Sequence, residues 1–181
     1  LWWYQTNLDD GVYDYQYNLE GIKYIADPWS EDVEWKDPFT GMESGNFQHA
    51  KTIFEVGASD YSWSDDSYVR PEVKDLVIYE LHVGAFLGID GEIGTYSDII
   101  DKINNGYFQD LGVNALELMP VMEFEGDFSW GYNTSFSFAP ESTYGTPNDL
   151  KNLIDVAHQN DIAILLDVVF NHLWGSSPLF Q

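Results

Sequence analysis

The stretch from Ile162 to His172 is almost entirely apolar and becomes polar over its last residues, reading I-A-I-L-L-D-V-V-F-N-H. Apolar side chains on both faces are typical of a parallel strand that is covered on both sides by helices or by the inside of a barrel. In parallel α/β folds the carboxyl ends of the strands face the ligand, and Asp167, Asn171 and His172 fall at that end. Spacing alone favours a plainer interpretation, in which Asp167 is a satisfied core carboxylate and the other two end the strand.

Before this strand, the chain alternates between strand-like and helix-like patterns. Strands are predicted at Val77 to Val83 and at Val113 to Met119, and a helix with one apolar stripe is predicted between them at Ser97 to Leu111. Thr146 and Pro147 supply the capping residue and first-turn proline of a second helix, which leads into the apolar strand. This order predicts two right-handed parallel crossovers. Periodicity leaves open whether the sheet stays open or closes into a barrel.

A long loop, from Pro120 to Tyr144, separates the second predicted strand from the second helix. Connections in compact domains mostly run roughly 2 to 6 residues, so a loop of this length is expected to be either functional or disordered. Its aromatic residues are Phe124, Phe128, Trp130, Tyr132, Phe136 and Phe138. Because so many rings are costly to leave in water, we expect the loop to fold over the carboxyl end of the strands, where a substrate would bind.

The first third of the chain shows short β-type runs between turn residues, typical of a meander within an all-β sandwich. The predicted strands are Leu1 to Thr6, Val12 to Tyr17, Ile22 to Ala26 and Thr52 to Val56. Tyr13, Tyr15 and Tyr17 alternate with other residues and therefore share one face of a strand. Packing against a neighbouring sheet is favoured for them over a sugar-stacking platform.

A polar segment that includes Arg70 and Pro71 divides the chain into two units. We predict a partial β-sandwich at residues 1–68, a linker at residues 69–74 and an α/β unit at residues 75–181. The predicted fold class is therefore α/β, preceded by part of an all-β domain.

Composition and charge limit the partners. With 31 acidic against 7 basic residues, the formal net charge is -24, which repels a nucleic-acid backbone or an anionic membrane surface and leaves neutral partners such as sugars. No cysteine is present, which excludes disulfides and thiolate metal sites. No apolar run approaches the ~20 residues of a membrane span. The compartment is not determined, although the acidic balance leans towards a secreted or periplasmic protein.

Three sequence motifs follow one another in the second half of the chain. G-V-N-A-L-E-L-M-P-V runs from Gly112 to Val121, W-G-Y-N and then F-A-P-E-S-T-Y-G-T-P lie between Trp130 and Pro147, and D-V-V-F-N-H closes the apolar strand. These stretches resemble the second barrel strand, the loop and helix start after it, and the first conserved block of the α-amylase superfamily of glycoside hydrolases, glycoside hydrolase family 13. Their order and spacing match the family's arrangement.

This resemblance implies that the α/β unit is the start of a (β/α)8 TIM barrel, with its first three strands and two helices. The stretch from Tyr15 to Trp29 resembles later strands of the immunoglobulin-like accessory domain that branching and debranching members carry before the barrel. The chain is therefore expected to be a fragment. One departure is Asp161, which stands where relatives usually have glycine and affects only the local turn geometry.

The resemblance also implies roles for single residues. Tyr132 matches the aromatic residue that stacks under the glucose on the nonreducing side of the cleaved bond, and His172 matches the histidine that binds a hydroxyl of that glucose. Asp167 matches an aspartate that steadies the site without being catalytic. Trp130 is a further substrate-binding candidate, with anchoring of the loop as the favoured role. Asn171 corresponds to a residue that binds calcium in some relatives, so calcium is the one cofactor considered.

Three acidic residues of the long loop, Glu123, Glu125 and Asp127, are candidate sources of further calcium oxygens. Their spacing is not that of a recognised calcium loop. A solvated acidic loop is therefore the favoured interpretation.

In the resembled family the catalytic carboxylates follow later barrel strands, so the nucleophile and general acid are expected beyond Gln181. The resemblance places no catalytic residue in this chain, and the 181 residues alone are expected to be inactive. In complete form, we expect an α-amylase-type glycosidase that cleaves α-glucosidic bonds with retention in starch- or glycogen-like substrates. The alternatives are a 1,4-α-glucan branching transglycosylase, or a non-catalytic glucan-binding protein if the chain is naturally this short.

Overall fold

The structure is a computed structural model and describes residues 4–21, 23–36, 48–64, 67–88, 91–126 and 128–180. The strands are β1 (Gly11–Tyr15), β2 (Tyr17–Leu19), β3 (Lys23–Ile25), β4 (Val33–Glu34), β5 (Lys51–Val56), β6 (Ile78–Leu81), β7 (Ala115–Leu118), β8 (Met122–Phe124), β9 (Thr134–Pro140) and β10 (Ala163–Leu166). The α-helices are α1 (Val83–Phe86), α2 (Tyr96–Asn104), α3 (Tyr107–Asp110) and α4 (Pro147–Gln159). Short 3-10 helices lie at Val73–Asp75, Ser142–Tyr144 and Pro178–Phe180. None of the helices in these ranges is long and apolar enough to cross a bilayer.

The second half of the chain forms a parallel sheet in the order β10-β7-β6, which confirms the predicted alternation of strands and helices. Leu81 of β6 and Leu118 of β7 stand side by side in the register and are 4% and 0% exposed. They share the main core with Ile103 of α2 and Leu153 of α4, both 0% exposed. The two longer helices therefore cover one face of the sheet and leave its carboxyl edge open to loops.

The helix predicted from Ser97 to Leu111 is in fact two helices. α2 ends at Asn104, and Gly106 then takes a φ of 82°, a left-handed conformation that glycine adopts without steric cost. α3 restarts at Tyr107 and buries Phe108 completely. The apolar spacing runs on through the break, so the prediction of one continuous helix is wrong.

α4 begins with the capping box that the sequence predicts. The Asp149 backbone N–H donates to the Thr146 hydroxyl at 3.2 Å, and the Thr146 N–H donates to the Asp149 carboxylate at 2.8 Å. Pro147 occupies the first turn, where its missing N–H costs nothing.

Thr146→Ala removes this cap and is expected to lower the free energy of unfolding by about 1 kcal/mol. Urea denaturation followed by circular dichroism measures the loss. Ser97→Ala, an exposed position in the first turn of α2, is the control and should change stability by less than about 0.5 kcal/mol. Equal losses for the two variants would contradict the capping role.

The turn from α4 into β10 passes through Asp161, whose φ of 59° lies in the left-handed region. An L-residue is strained there relative to glycine, which accounts for the glycine that the resembled family usually has. The next residue, Ile162, is 1% exposed and belongs to the main core, so the departure affects only the turn.

β10 ends at Leu166, well before the end of the strand predicted from Ile162 to His172. Beyond Leu166, the pairing with β7 continues only through the Asp167 N–H, which donates to the carbonyl of Leu118 at 2.9 Å. Leu166, Val168 and Phe170 are 46%, 43% and 80% exposed, and no element within the described ranges covers them. The prediction of a parallel strand is confirmed, and within the described residues only its amino-terminal part, at Ile162 and Ala163, is buried.

The first third of the chain is β-rich, as predicted, and forms two small antiparallel sheets, β1-β5-β4 and β2-β3. Residues 4–6 are not in a strand, whereas residues 1–3 and Ile22 lie outside the described part of the chain. Tyr13 and Tyr15 pack on Phe54 of β5, with ring centroids 5.7 and 5.6 Å apart. Tyr13 and Tyr15 therefore pack against a ring of the neighbouring strand in the same sheet.

The two halves of the chain are in contact, with β9 and α4 of the second half each meeting residues of the first. Trp35 is 4% exposed and packs edge to face on Phe136 of β9 at 5.7 Å, in a cluster that also contains Ala139. Further along, the Ser64 N–H and hydroxyl donate to the carboxylate of Asp155 on α4 at 3.0 and 2.7 Å. The β-rich part therefore rests on both the long loop and a helix of the α/β unit.

Candidate functional site

Three of the predicted site residues meet at the carboxyl end of β10. The Tyr132 hydroxyl donates to Asp167 Oδ2 at 2.6 Å, and His172 Nε2 donates to the backbone carbonyl of Tyr132 at 2.8 Å. Tyr132 precedes β9 and Asp167 directly follows β10, so this part of the long loop is folded back over the strand end. We call Tyr132, Asp167 and His172 the loop–strand cluster.

The Tyr132 ring is held in place and remains accessible, with 37% of the residue exposed. The hydrogen bond to Asp167, together with burial and the negative charges of Asp167, Glu80 and Glu117, raises the pKa of Tyr132 to about 12. The hydroxyl therefore stays protonated at neutral pH and remains a donor to Asp167. The open ring surface is suited to stacking on the apolar face of a sugar.

Two carboxylates that the sequence analysis did not single out lie on the same side of the sheet as Asp167. Glu80 of β6 pairs with Glu117 of β7, and Glu117 pairs with Leu165 of β10. Residues two apart on a strand share a face, so Asp167 lies on the face of Leu165. Both β6 and β7 end in the dipeptide Glu-Leu. This repeat is the sequence signal that the two glutamates stand side by side in the sheet.

The two ring nitrogens of the exposed His172 have different roles. Nε2 meets a carbonyl oxygen, which only accepts hydrogen bonds, so Nε2 carries the proton. In a neutral imidazole the other ring nitrogen, Nδ1, is an acceptor and can meet a ligand hydroxyl. His172 therefore fixes the backbone of Tyr132 and still has a nitrogen suited to the predicted contact with a sugar.

Trp130 lies two residues from Tyr132 but is not bonded into the loop–strand cluster. It is 73% exposed and, with Phe128 and His82, lines a cavity of about 510 Å³. His82 holds this loop: its Nδ1 accepts from the Ala85 N–H at 3.0 Å, and its Nε2 donates to the Ser129 carbonyl at 2.6 Å. The substrate-binding role of Trp130 stays a prediction.

Glu123 does not belong to a solvated acidic loop, so that prediction is wrong for this residue. It is 1% exposed, accepts the indole N–H of Trp35 at Oε1, and accepts the Ser142 N–H at Oε2 at 2.7 Å. Burial and the charge of Glu141, itself 1% exposed, raise the pKa of Glu123 well above its usual range. Asp127 lies outside the described residues. The sequence carries no local signal for this site, because Trp35 is 88 positions away.

Asn171 is the one residue for which calcium binding is predicted. Asn171 is exposed, and within the described ranges no group of three or more His, Cys, Asp or Glu residues is arranged to hold a metal ion. Calcium takes roughly 6 to 8 oxygen ligands. These ligands include amide and backbone carbonyl oxygens as well as carboxylates, so the calcium-binding role of Asn171 stays a prediction.

Both the sequence and the structure of this chain are similar to those of known proteins. Residues 52–181 match the family model of the alpha-amylase catalytic domain. The chain is 40% identical over 176 residues to a malto-oligosyltrehalose trehalohydrolase of Saccharolobus solfataricus, a match that covers 94% of this chain and 29% of the relative. It is 41% identical over 154 residues to a 1,4-alpha-glucan branching enzyme of Picrophilus torridus, covering 84% of this chain and 21% of the relative.

The structural comparison agrees. The crystal structure of a Salmonella typhimurium protein assigned as an alpha amylase has a TM-score of 0.74 and 31% identity, covering 92% of this chain and 25% of that chain. The chain thus spans less than a third of the length of these relatives. Because the family match extends over 52–181, most of its length, this chain belongs to the alpha-amylase catalytic-domain family, glycoside hydrolase family 13, and its parallel sheet is part of a TIM barrel.

Proposed function

We propose that this chain is part of an enzyme that cleaves α-glucosidic bonds in α-glucans with retention of configuration. The observation that carries the proposal is the loop–strand cluster, in which an open aromatic ring, an imidazole acceptor and a carboxylate meet at one strand end. These are the groups that bind one glucose unit. The net charge of -24 fits a neutral substrate.

In this proposal the glucose on the nonreducing side of the cleaved bond stacks on Tyr132. His172 Nδ1 accepts one of its hydroxyls. Asp167 holds the Tyr132 hydroxyl and so sets the plane of the ring. Because both contacts of Tyr132 exist without ligand, binding requires little ordering of side chains.

The bond-cleaving carboxylates are proposed to lie outside these 181 residues. Retention requires a nucleophile and a general acid whose carboxyl groups are roughly 5 to 5.5 Å apart across the scissile bond. Asp167 is engaged by Tyr132, and the family resemblance places the catalytic carboxylates after later strands than those of Glu80 and Glu117, so we assign none of the three these roles. The 181-residue chain alone is therefore proposed to be inactive.

Malto-oligosyltrehalose is the substrate that we propose first. Four relatives named malto-oligosyltrehalose trehalohydrolase are 31–40% identical to this chain over 94–97% of its length. The match includes both the β-rich part and the α/β unit. On this basis, the reaction is addition of water across the α-glucosidic bond next to trehalose.

Branching of an α-glucan is the second candidate. Three relatives named 1,4-alpha-glucan branching enzyme are 33–41% identical over 84–87% of the chain. A glucose site of the kind formed by the loop–strand cluster serves transfer to a sugar hydroxyl as well as transfer to water. The acceptor therefore distinguishes the two candidates.

Incubating the complete protein with malto-oligosyltrehalose, and separately with amylose, tests both candidates. Hydrolysis is expected to release free trehalose, with the new reducing end appearing first as the α anomer in a proton NMR time course. Branching is expected to release no trehalose and to create α-1,6 linkages in amylose. Initial appearance of the β anomer would contradict retention, and no reaction with either substrate would overturn the proposal. Trehalose release by the 181-residue chain alone would refute its proposed inactivity.

We also propose that residues 1–68 are the tail of an immunoglobulin-like accessory domain, that residues 69–74 are a linker and that residues 75–181 begin the barrel. The antiparallel sheets β1-β5-β4 and β2-β3 support the first assignment, and the parallel sheet supports the last. The 3-10 helix Val73–Asp75 lies at the boundary.

A further inference from the structure

An exposed pair of aromatic side chains lies where the two halves of the chain meet. Trp29, between β3 and β4, is 68% exposed, and Phe138 of β9 is 56% exposed. Their ring centroids are 5.0 Å apart and their planes differ by 36°. A single exposed apolar residue needs no explanation, but two adjoining rings form a patch of a size that is often functional in monomeric proteins.

Both rings are presented by ordered backbone. The Trp29 N–H donates to Asp27 Oδ1 at 2.9 Å. Asp27 Oδ2 accepts the hydroxyls of Tyr15 and Tyr17 at 2.8 and 2.9 Å. Phe138 is fixed by its place in β9. The Asp27 carboxylate therefore already accepts three hydrogen bonds, from the Trp29 N–H and from the hydroxyls of Tyr15 and Tyr17. Its charge is balanced by these neutral donors and does not oppose a neutral ligand on the rings.

We propose that Trp29 and Phe138 form a second α-glucan-binding platform, separate from the loop–strand cluster. This inference rests on the proposed function for the choice of sugar. The two rings offer at most roughly 150–250 Å² each, well below the ~800 Å² per partner of a stable protein–protein interface, but enough for one or two pyranose units. The net charge of -24 disfavours an anionic ligand, and a neutral polysaccharide meets no such barrier.

β9 connects the platform to the loop–strand cluster. Tyr132 lies two residues before β9, and Phe138 lies four residues beyond its first residue, Thr134, a distance of about 13 Å along the strand. The backbone N–H of Trp174, a residue that is 47% exposed, donates to the carbonyl of Thr134 at the start of β9 at 2.8 Å. A long glucan chain can therefore contact both places at once, whereas a short oligosaccharide fills only one.

Affinity electrophoresis of the complete protein in gels containing amylopectin tests the platform without relying on catalysis. Trp29→Ala and Phe138→Ala are each expected to weaken retention by about fivefold, the loss of one stacking ring. Trp29→Phe keeps a ring and should retain most of the binding. Trp63→Ala is the matched control, because Trp63 is 43% exposed but its ring partner Tyr61, 4.8 Å away, is mostly covered, so the two rings form no open pair and retention should be unchanged. Thermal unfolding midpoints verify that each variant is folded.

Unchanged retention for folded Trp29→Ala and Phe138→Ala variants would overturn the platform. Light scattering gives a second test. If the wild type self-associates and the Trp29→Ala variant is monomeric, the patch is a protein interface and the proposed platform is overturned. Activity separates this inference from the proposed function, since the platform variants should turn over short malto-oligosyltrehaloses at the wild-type rate. A protein that acts on no α-glucan would overturn the proposed function, and gel retention would still decide the platform.

Discussion

Tyr132→Ala is expected to lower kcat/KM for α-glucan cleavage by the complete enzyme by about 10- to 100-fold, because burying one aromatic ring against a sugar stabilises the complex by roughly 1.5–3 kcal/mol. The substitution also removes the donor that meets Asp167 Oδ2 at 2.6 Å, so a carboxylate beside the sugar loses its partner. Initial rates of sugar release, measured at substrate concentrations well below saturation, give the ratio of kcat/KM between wild type and variant directly.

Two further variants separate the ring of Tyr132 from its hydroxyl. Tyr132→Phe keeps the stacking surface and loses one hydrogen bond to a charged group, so we expect a decrease of about tenfold. Tyr24→Ala is the control, because Tyr24 is a tyrosine of similar exposure, 49%, on β3 in the β-rich part of the chain and has no bond to the loop–strand cluster among the described contacts. If Tyr24→Ala and Tyr132→Ala have the same effect, the assignment of Tyr132 to the sugar site is wrong.

Glu123→Gln is expected to change how the stability of the protein depends on pH. The folded-state pKa of Glu123 is raised well above its ordinary value of 4.5, so the folded protein keeps a proton there that the unfolded chain loses. The stabilising contribution of Glu123 is therefore complete below the ordinary pKa and is lost as the pH rises towards the folded-state pKa, at up to about 1.4 kcal/mol per pH unit. Glutamine does not titrate, so the variant lacks this loss.

The same variant is expected to be less stable than the wild type at low pH. Oε2 of Glu123 accepts the Ser142 N–H at 2.7 Å and Oε1 accepts the Trp35 indole N–H, and an amide offers only one oxygen for these two donors. Leaving one buried donor unpaired costs about 1–3 kcal/mol. The stability difference between variant and wild type should therefore shift in favour of the variant as the pH rises.

Urea unfolding at about pH 4.5, 6 and 7.5 measures this difference, across the range in which an ordinary carboxyl has lost its proton. Glu55→Gln, an exposed glutamate on β5, is the control and should follow the wild-type pH dependence in parallel. If the free energy of unfolding of Glu123→Gln also changes with pH in parallel with the wild type, Glu123 holds no additional proton in the folded protein. The effect is large because Glu141 is buried beside Glu123, and two such carboxyls resist being ionised together.

The α/β organisation of the second half was predictable from the residue pattern. Apolar runs at Ala115–Leu118 and Ala163–Leu166, separated by a helical stripe, leave little choice but parallel strands with a covering helix. The cap at Thr146 was equally predictable, because both of its bonds join residues three apart. The cluster residues Tyr132, Asp167 and His172 were found through short motifs, although only the family resemblance gave these motifs a meaning.

Other features depended on contacts between distant segments. Trp35 and Glu123 are 88 positions apart, and no local pattern distinguishes the buried Glu123 from a solvated loop acid. The exposure of Phe170 follows from the position of β10 at the edge of the described sheet. The pairing of Trp29 with Phe138 likewise joins the two halves of the chain. Backbone propensity and capping act over a few neighbouring residues, whereas burial, pKa shifts and surface patches are set by which distant segments pack together.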